Sequence, residues 1–182
     1  MTAVLDPTVA LVVIDLQKGI VGLPPADDAA GVVKNASRLA HAFRARGRTV
    51  ALVSVVGVAP GRADVSHTGG ELPANFADLV AELGNHPDDI VVQKRSWGAF
   101  SSTDLDEQLR SRGITQIVLC GIATSMGVES TARFAHEYGY NVVVVRDAVA
   151  DPDPAAHTHS LETILPRIAQ VRRADELHLE LQ

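Results

Sequence analysis

Short apolar runs rich in β-branched residues alternate with longer amphipathic stretches along the whole chain. The first run, Val9–Ile14 (VALVVI), is continuously apolar, as expected for a parallel strand that is covered on both faces. The next stretch places Val32, Ala36, Leu39 and Phe43 at helical spacing, with polar residues between them. Strands that alternate with helices predict an α/β domain with a parallel sheet and right-handed crossovers.

The same alternation predicts five further strands and four further helices. The predicted strands are Thr49–Val56, Ile90–Gln93, Ile117–Cys120, Val142–Val145 and Val171–Leu177. The predicted helices are Phe76–Leu83, Thr103–Arg112, Ser125–Tyr138 and Ala155–Ala169. Asp27 or Asp28 is expected to cap the first helix and Gly47 to end it, while Thr103 with Asp106 resembles a capping box.

Length and charge restrict the class of protein. The 182 residues suit a single domain, 1–182, that buries a core without cross-links. The chain carries 16 basic and 22 acidic side chains, a net charge of −6, which disfavours nucleic acid as a partner. The longest apolar run has six residues, whereas a bilayer span needs about 20, so no membrane association is expected.

The compartment is predicted from the N-terminus and from cysteine usage. No signal peptide is expected, because Asp6 and Asp15 interrupt the start of the chain and no basic residue precedes Lys18. The single cysteine, Cys120, excludes an internal disulfide. We therefore expect a soluble protein of the reducing cytoplasm.

Polar or glycine-rich segments follow three of the predicted strands. Asp15 and Gln17 follow the first strand, Lys94 and Trp97 the third, and the segment 121–127 (GIATSMG) the fourth. In an open α/β sheet, ligands bind beyond the carboxyl ends of the strands, near the point where the strand order reverses. These residues are therefore predicted to meet at one ligand-binding edge.

Two other kinds of site are weakly supported. The turn after the first strand (DLQKGIVG) lacks the glycine pattern of a dinucleotide-binding loop, and no phosphate-binding P-loop motif occurs. The seven histidines are scattered, and His157 and His159 are two residues apart in a predicted helix, so their rings point to different faces. His67, in a long loop spanning 57–73, is at best a lone ligand. Neither a metal nor another cofactor is predicted.

Three blocks of sequence together resemble the isochorismatase-like hydrolases, a superfamily that contains nicotinamidases, N-carbamoyl amide hydrolases and isochorismatases. The blocks are VVIDLQ, QKRSWGAFSSTDLDEQLRSRGI and IVLCGIATSMGVESTARFAHEYGYNVVVVRDAVAD. The resemblance extends from about residue 9 to 177. It implies a three-layer αβα sandwich with a six-stranded parallel sheet, assembled into homodimers or larger homo-oligomers. Phe100, Asp147 and His157 match positions that look structural.

Most members of this superfamily use an Asp–Lys–Cys triad. The resemblance assigns the acid to Asp15 and the amine to Lys94, but it places Gly127 where the nucleophilic cysteine stands. Glycine has no side chain that can attack a carbonyl, so the acyl-enzyme route to amide hydrolysis is closed. Cys120 lies seven residues earlier within a strand, where we expect a buried, unreactive thiol.

The isochorismatase branch of the superfamily also carries glycine at this position. Its members hydrolyse a vinyl ether, with the retained aspartate protonating the double bond and water adding to the cation. That branch, however, has an aromatic residue and a histidine where this chain has Ala123 and Ser125. The resemblance therefore implies an amidase-type scaffold without its thiol, and it argues against isochorismate itself as the substrate.

The remaining site residues receive roles as expectations. Burial raises and Lys94 lowers the pKa of Asp15, and the sequence leaves open whether Asp15 acts as an acid or as a base. The backbone N–H of Gly127 and that of its neighbour are expected to form an anion cradle, after a cis Ile122–Ala123 peptide bond that the resemblance implies. Trp97 either forms a wall of the substrate pocket or packs at a subunit contact.

The other expected substrate contacts are Gln17, which would share a face with Asp15, together with Ala123 and Thr124. Two functions remain open. One is a small-molecule hydrolase in which Asp15 and Lys94 act with directly activated water on a vinyl ether or a similar bond. The other is a catalytically inactive ligand-binding or assembly protein.

Overall fold

A six-stranded, all-parallel sheet with strand order β3-β2-β1-β4-β5-β6 organises the protein. The structure is a computed structural model and describes residues 5–65 and 72–177. The strands are β1 Val9–Ile14, β2 Val50–Val55, β3 Ile90–Lys94, β4 Gln116–Ile122, β5 Asn141–Ala150 and β6 Gln170–Arg172. The helices are α1 Ala26–Arg44, α2 Leu105–Ser111, α3 Glu129–Glu137 and α4 Pro154–His159. The α/β class and the six parallel strands are thus confirmed.

The two faces of the sheet carry separate hydrophobic cores. Leu11 and Val13 of β1 face the core that includes Phe43 of α1, whereas Val12 and Ile14 face the core on the opposite side. This alternation follows from the two-residue period of a strand. Because both faces are covered, all six residues of β1 are buried, which explains its uninterrupted apolar sequence.

The strand order reverses between β1 and β4, and a glycine allows the two strands to meet there. Ile14 is in register with Gly121, whose φ angle is +127°. A Cβ atom on Gly121 would lie 2.0 Å from the carbonyl oxygen of Ile14. Only glycine fits this contact, because both the backbone angle and the space exclude a side chain.

Several boundaries differ from the sequence prediction, most of all at the expected helix 76–83. Only a 3₁₀ turn at Ala81–Leu83 forms there, because the preceding segment runs alongside Gln17 and makes an antiparallel bridge with it at Leu79. The expected last helix is interrupted: after α4 come a π-helical turn, Ser160–Ile164, and a 3₁₀ turn, Leu165–Arg167. Pro166 lies in that last turn and has no N–H to continue an α-helix.

Two predicted helix caps are wrong, whereas the predicted stop at Gly47 is consistent with the structure. α1 begins at Ala26 directly after Pro25, so neither Asp27 nor Asp28 is the cap. Asp106 makes no capping box with Thr103, because its carboxylate accepts a hydrogen bond from the Tyr140 hydroxyl at 2.7 Å.

Gly47 follows α1 with a φ angle of +64°. Part of the long loop predicted at 57–73, including His67, lies outside the described residues. Within the described residues, no helix is long and apolar enough to cross a membrane.

Candidate active site

Asp15 is the first residue beyond β1 and lies at the reversal of strand order. Its backbone N–H donates to the carbonyl oxygen of Val53 at 2.9 Å, which extends the β1–β2 ladder by one bond. Its φ angle is +52°, an uncommon conformation for a residue other than glycine. The side chain is buried, so this turn carries a carboxyl group into the interior at the edge of the sheet.

Lys94 reaches Asp15 from the end of β3, two strands away. Its Nζ atom donates to Oδ2 of Asp15 at 2.7 Å and to the backbone carbonyl of Ser96 at 3.0 Å. The lysine side chain is only 1% exposed and the Asp15 side chain 7% exposed. Two residues that are 79 positions apart in the sequence therefore form a buried ion pair, and the predicted proximity of Asp15 and Lys94 is present in the structure.

Burial and Lys94 act on the Asp15 carboxyl in opposite directions, and burial has the larger effect. Loss of water around the charged form raises the pKa of Asp15 to about 6, although the charge of Lys94 and its hydrogen bond lower it. The second carboxyl oxygen, Oδ1, is shielded from solvent and has no hydrogen-bond partner among residues 5–65 and 72–177. This carboxyl can therefore hold or release a proton near neutral pH.

Gly127 borders the ion pair from the segment that follows β4. A Cβ atom on Gly127 would lie 3.1 Å from Oδ2 of Asp15 and 2.9 Å from Cγ2 of Ile14. The Ile122–Ala123 peptide bond is cis, as the resemblance implied. A π-helical turn, Thr124–Val128, then carries Gly127 into α3.

The backbone cradle expected at Gly127 is not formed by the neighbours of this glycine. The N–H groups of Met126 and Val128 both donate to the carbonyl oxygen of Ala123, each at 3.2 Å. These bonds close the π-helical turn, so neither group is available to an oxyanion. The prediction that a neighbour of Gly127 supplies the second N–H donor is therefore wrong.

A cavity of about 500 Å³ opens beside the ion pair. Asp15, Lys94 and Gly127 line it, together with two of the predicted substrate contacts, Trp97 and Ala123. The rest of the lining is almost entirely apolar, with Ile20, Leu23, Val58, Leu72, Phe76 and Met126 as its larger side chains. This composition is typical of a small-molecule site, where a few polar groups act within an apolar enclosure.

Gln17 and Thr124 were predicted as substrate contacts, and both are fully buried outside the cavity lining. The Gln17 amide nitrogen donates to the carbonyl oxygens of Val55 and Phe76, and its Oε1 accepts from the Val55 N–H at 2.7 Å. Oγ1 of Thr124 lies 2.8 Å from Nδ1 of His157. Because these polar groups are already bonded within the protein and do not line the cavity, both residues support the site from behind its wall.

Two positioning contacts were not foreseen from the sequence. The carboxylate of Asp151, at the end of β5, accepts from the backbone N–H of Ser125 at 2.7 Å and from its hydroxyl at 2.8 Å. The ring of Phe76 lies where a side chain on Gly19 would stand, since a Cβ there would be 2.1 Å from it. The position of Asp151 directly after a strand could have marked it in the sequence. No sequence pattern indicates the contact between Gly19 and Phe76.

Cys120 lies inside β4, paired in register with Val13. It is fully buried, and desolvation raises the pKa of its thiol to about 12. A thiol in this state is almost entirely protonated at neutral pH, so it is a poor nucleophile. Elsewhere in the described chain, no cluster of three histidine, cysteine, aspartate or glutamate side chains is arranged to hold a metal.

Comparison with known families is decisive for the class of protein. A family model described as the isochorismatase domain matches residues 9–176. The chain belongs to the isochorismatase family. Its relatives include YwoC of Bacillus subtilis (strain 168), an uncharacterized isochorismatase family protein that is 45% identical over 174 residues, or 92% of this chain and 90% of YwoC.

Solved structures of isochorismatase family proteins share the fold. One from Burkholderia thailandensis has a TM-score of 0.91 and 46% identity, covering 97% of each chain. N-carbamoylsarcosine amidase from Thermoplasma acidophilum has a TM-score of 0.74 and 28% identity, covering 94% of this chain and 99% of the amidase. The family thus includes named hydrolases, and this isochorismatase family protein has the same six-stranded scaffold.

Proposed function

We propose that this protein is a small-molecule hydrolase that uses Asp15 and Lys94 with directly activated water and forms no covalent intermediate. The observation that carries the proposal is the buried ion pair at 2.7 Å, bordered at Gly127 by a residue without a side chain. Gly127 corresponds to the nucleophile position of the amidases, so covalent capture of an acyl group has no attacking atom there. Cys120 does not replace it, because its thiol is buried in β4.

The chemistry that fits this pair is hydrolysis of a vinyl ether or a similarly acid-labile bond. The protonated Asp15 carboxyl transfers its proton to the terminal carbon of the double bond and leaves an oxygen-stabilised cation. Water adds to the cation and returns a proton to the Asp15 carboxylate. The resulting hemiketal then collapses to a carbonyl compound and an alcohol, which completes the addition of one water molecule.

Lys94 has two roles in this proposal. Its hydrogen bond to Oδ2 fixes the orientation of the Asp15 carboxyl, and its charge favours the carboxylate that forms after proton transfer. Without Lys94, the buried Asp15 carboxyl would hold its proton more tightly and become a weaker acid. With Lys94, the pKa of about 6 lets Asp15 both donate and recover a proton near neutral pH.

The proposal is tested by screening uncharged vinyl ethers in D₂O. The expected product carries one deuterium at the carbon that was protonated, and Asp15→Asn is expected to abolish turnover. Cys120→Ala is the matched control and is expected to retain full activity. Turnover that survives Asp15→Asn, or that is lost in Cys120→Ala or after thiol alkylation, would contradict the mechanism.

A ligand-binding protein without catalysis is the second candidate. It is favoured by the closed π-helical turn, since the N–H groups on both sides of Gly127 are bonded to Ala123 and do not face a reacting oxygen. In that case ligands bind the cavity with no product formed over the whole screen. The homo-oligomer and the cytoplasmic location expected from the sequence stay predictions.

A further inference from the structure

We infer that the cavity selects an uncharged substrate with an apolar body and discriminates against carboxylates and ammonium compounds. The inference rests on the proposed function only in that both concern the same cavity. It is carried by the charges of the lining, where Asp15 and Lys94 are the ionisable side chains among the described lining residues and are bonded to each other.

Among the described lining residues, the one cation that a carboxylate could meet is Lys94, which is already paired with Asp15. Two N–H groups of Lys94 already donate to Asp15 and Ser96, and the lysine side chain is almost completely buried. The ligand would also lie against the Asp15 carboxyl, whose Oδ1 has no partner in the described chain. An ionised group that is desolvated without a partner binds poorly, so carboxylates are disfavoured.

A cationic ligand is disfavoured for the converse reason. The Asp15 carboxylate is already neutralised by Lys94 at 2.7 Å, and a second cation would be repelled by that ammonium group. The other described lining side chains are apolar and do not compensate for the lost hydration. An uncharged group that hydrogen bonds to the carboxyl avoids both costs.

Two exposed arginines lie next to the cavity in the described chain. Arg62 lines an adjoining cavity that shares Val58 and Trp97 with this one, and Arg95 approaches Gly57. Its Nη1 atom lies 3.3 Å from where a Cβ on Gly57 would stand, and Gly57 is a lining residue. Arg95, like Arg62, is exposed and does not line the cavity. A carboxylate held by either arginine would therefore remain in water at the rim.

The aromatic residues of the lining favour a flat apolar body. The Phe76 ring is held in place from two sides, by its contact with Gly19 and by hydrogen bonds from the backbone N–H of Gly19 and the Gln17 amide to the Phe76 carbonyl. Trp97 supplies a second aromatic side chain. A volume of about 500 Å³ lies within the range of small-molecule pockets and accommodates a substituted ring.

The test measures binding and does not require turnover. Trp97 is the only tryptophan of the chain and lines the cavity, so its fluorescence reports occupancy. The probes are benzamide, benzoate and benzylamine at pH 7.5, which share one ring and differ in charge. We expect the dissociation constant of benzamide to be at least 10-fold lower than those of the two charged probes. Equal or tighter binding of benzoate or benzylamine, or no binding of benzamide, overturns the inference.

A charge introduced at the cavity supplies the matched variants. Val58 lines the cavity and is 64% exposed, whereas Val91 on β3 is 62% exposed and does not line it. We expect Val58→Arg to tighten benzoate binding at least 10-fold and Val91→Arg to leave it unchanged. Arg95→Gln is expected to have no effect on benzamide. An equal response to both Val→Arg changes would show that the cavity charge does not decide selectivity.

The two proposals can fail separately. Benzamide selectivity without hydrolysis of any vinyl ether would contradict the proposed function and support the charge selectivity. Asp15-dependent hydrolysis accompanied by preferred carboxylate binding would contradict the selectivity and support the function. Circular dichroism of each variant verifies that the fold is retained.

Discussion

A side chain at Gly127 would meet the carboxyl of Asp15, because a Cβ atom there would lie 3.1 Å from Oδ2. The same oxygen accepts the hydrogen bond from Lys94, so a group at position 127 would join the buried ion pair directly. The 2.9 Å distance from this Cβ to Cγ2 of Ile14 requires a shift of a few tenths of an ångström in that side chain. A side chain at position 127 would thus contact the buried ion pair, at a position where this chain has glycine.

We expect Gly127→Cys to create a thiol whose reactivity depends on Asp15. The carboxyl lies close enough to accept the thiol proton, so iodoacetamide should label the new thiol, and labelling should slow at least 10-fold when Asp15→Asn is added. Mass spectrometry of the alkylated peptides gives the rate at each position.

Gly22→Cys is the matched control for this experiment, since a Cβ on Gly22 meets nothing within 4 Å. Its labelling should not respond to Asp15→Asn. Cys120 should remain unlabelled in every folded variant, because its thiol is buried and its pKa is raised to about 12. If the thiol at position 127 is labelled at the same rate with and without the Asp15 carboxyl, Asp15 does not activate it.

The Asp15 carboxyl should titrate near pH 6. Its ordinary pKa is 3.8, and burial raises the folded-state value to about 6. The associated stability is therefore fully present below about pH 3.8 and is lost as the pH rises through 6, with a total of up to about 3 kcal/mol. Carbon NMR of the Asp15 carboxyl measures the midpoint, and urea unfolding of wild type against Asp15→Asn between pH 4 and pH 7 measures the stability. A midpoint near pH 4 would refute the prediction.

The pH dependence of turnover should report the same Asp15 pKa of about 6. If the protonated carboxyl is the acid, kcat/KM should fall about tenfold per pH unit above pH 6. A rate that rises through pH 6 would instead identify the carboxylate as a base.

Lys94→Met should raise the pKa of Asp15 further above 6. The lysine lowers this pKa both by its charge and by its hydrogen bond, so its removal leaves burial unopposed. Lys18→Met is the control, because Lys18 pairs with Asp78 at 3.0 Å on the surface and does not contact Asp15. The same NMR titration compares the two variants. A lower pKa of Asp15 in Lys94→Met, or the same pKa in both variants, would contradict the effect of Lys94 on Asp15.

Gly121→Ala should destabilise the protein by about 3 kcal/mol or more, or prevent folding. The new Cβ would collide with the Ile14 carbonyl at 2.0 Å, and alanine tolerates a φ angle of +127° poorly. Gly22→Ala should change the free energy of unfolding by less than about 1 kcal/mol, since its Cβ has open space. Thermal and urea unfolding give both values, and similar values for the two variants would exclude this contact as a constraint.

Gln17→Leu should weaken ligand binding without moving the Asp15 titration. The amide of Gln17 bonds to both Phe76 and Val55 of β2, and its loss leaves the half-buried Val55 N–H without its acceptor, a cost of about 1 kcal/mol. Gln93→Leu is the control on β3, where the side chain is exposed. Benzamide binding by Trp97 fluorescence separates the two variants. Unchanged affinity in Gln17→Leu would show that Phe76 needs no such support.

The strands were predictable because their cause is local. A run such as Val9–Ile14 is apolar at every position because both faces of a parallel strand are covered, and this pattern is visible without coordinates. The resemblance to known sequences pointed to Asp15 and Lys94 for the same kind of reason, since each follows a recognisable strand. Helix limits were less predictable, because the segment before Ala81 is a turn followed by a bridge to Gln17 at Leu79, and these tertiary contacts override its helical pattern.

The sequence by itself determined the alternation of strands and helices, the acidic and basic residues at the ends of β1 and β3, and the glycine at position 127. Only the tertiary structure decided that Gln17 and Thr124 position the site instead of lining it, and that Oδ1 of Asp15 has no partner in the described chain. The physical reason is that hydrogen bonding and burial depend on which segments meet in space. Side chains as far apart as positions 17 and 76 acquire their partners, and Asp15 its raised pKa, only when the sheet is assembled.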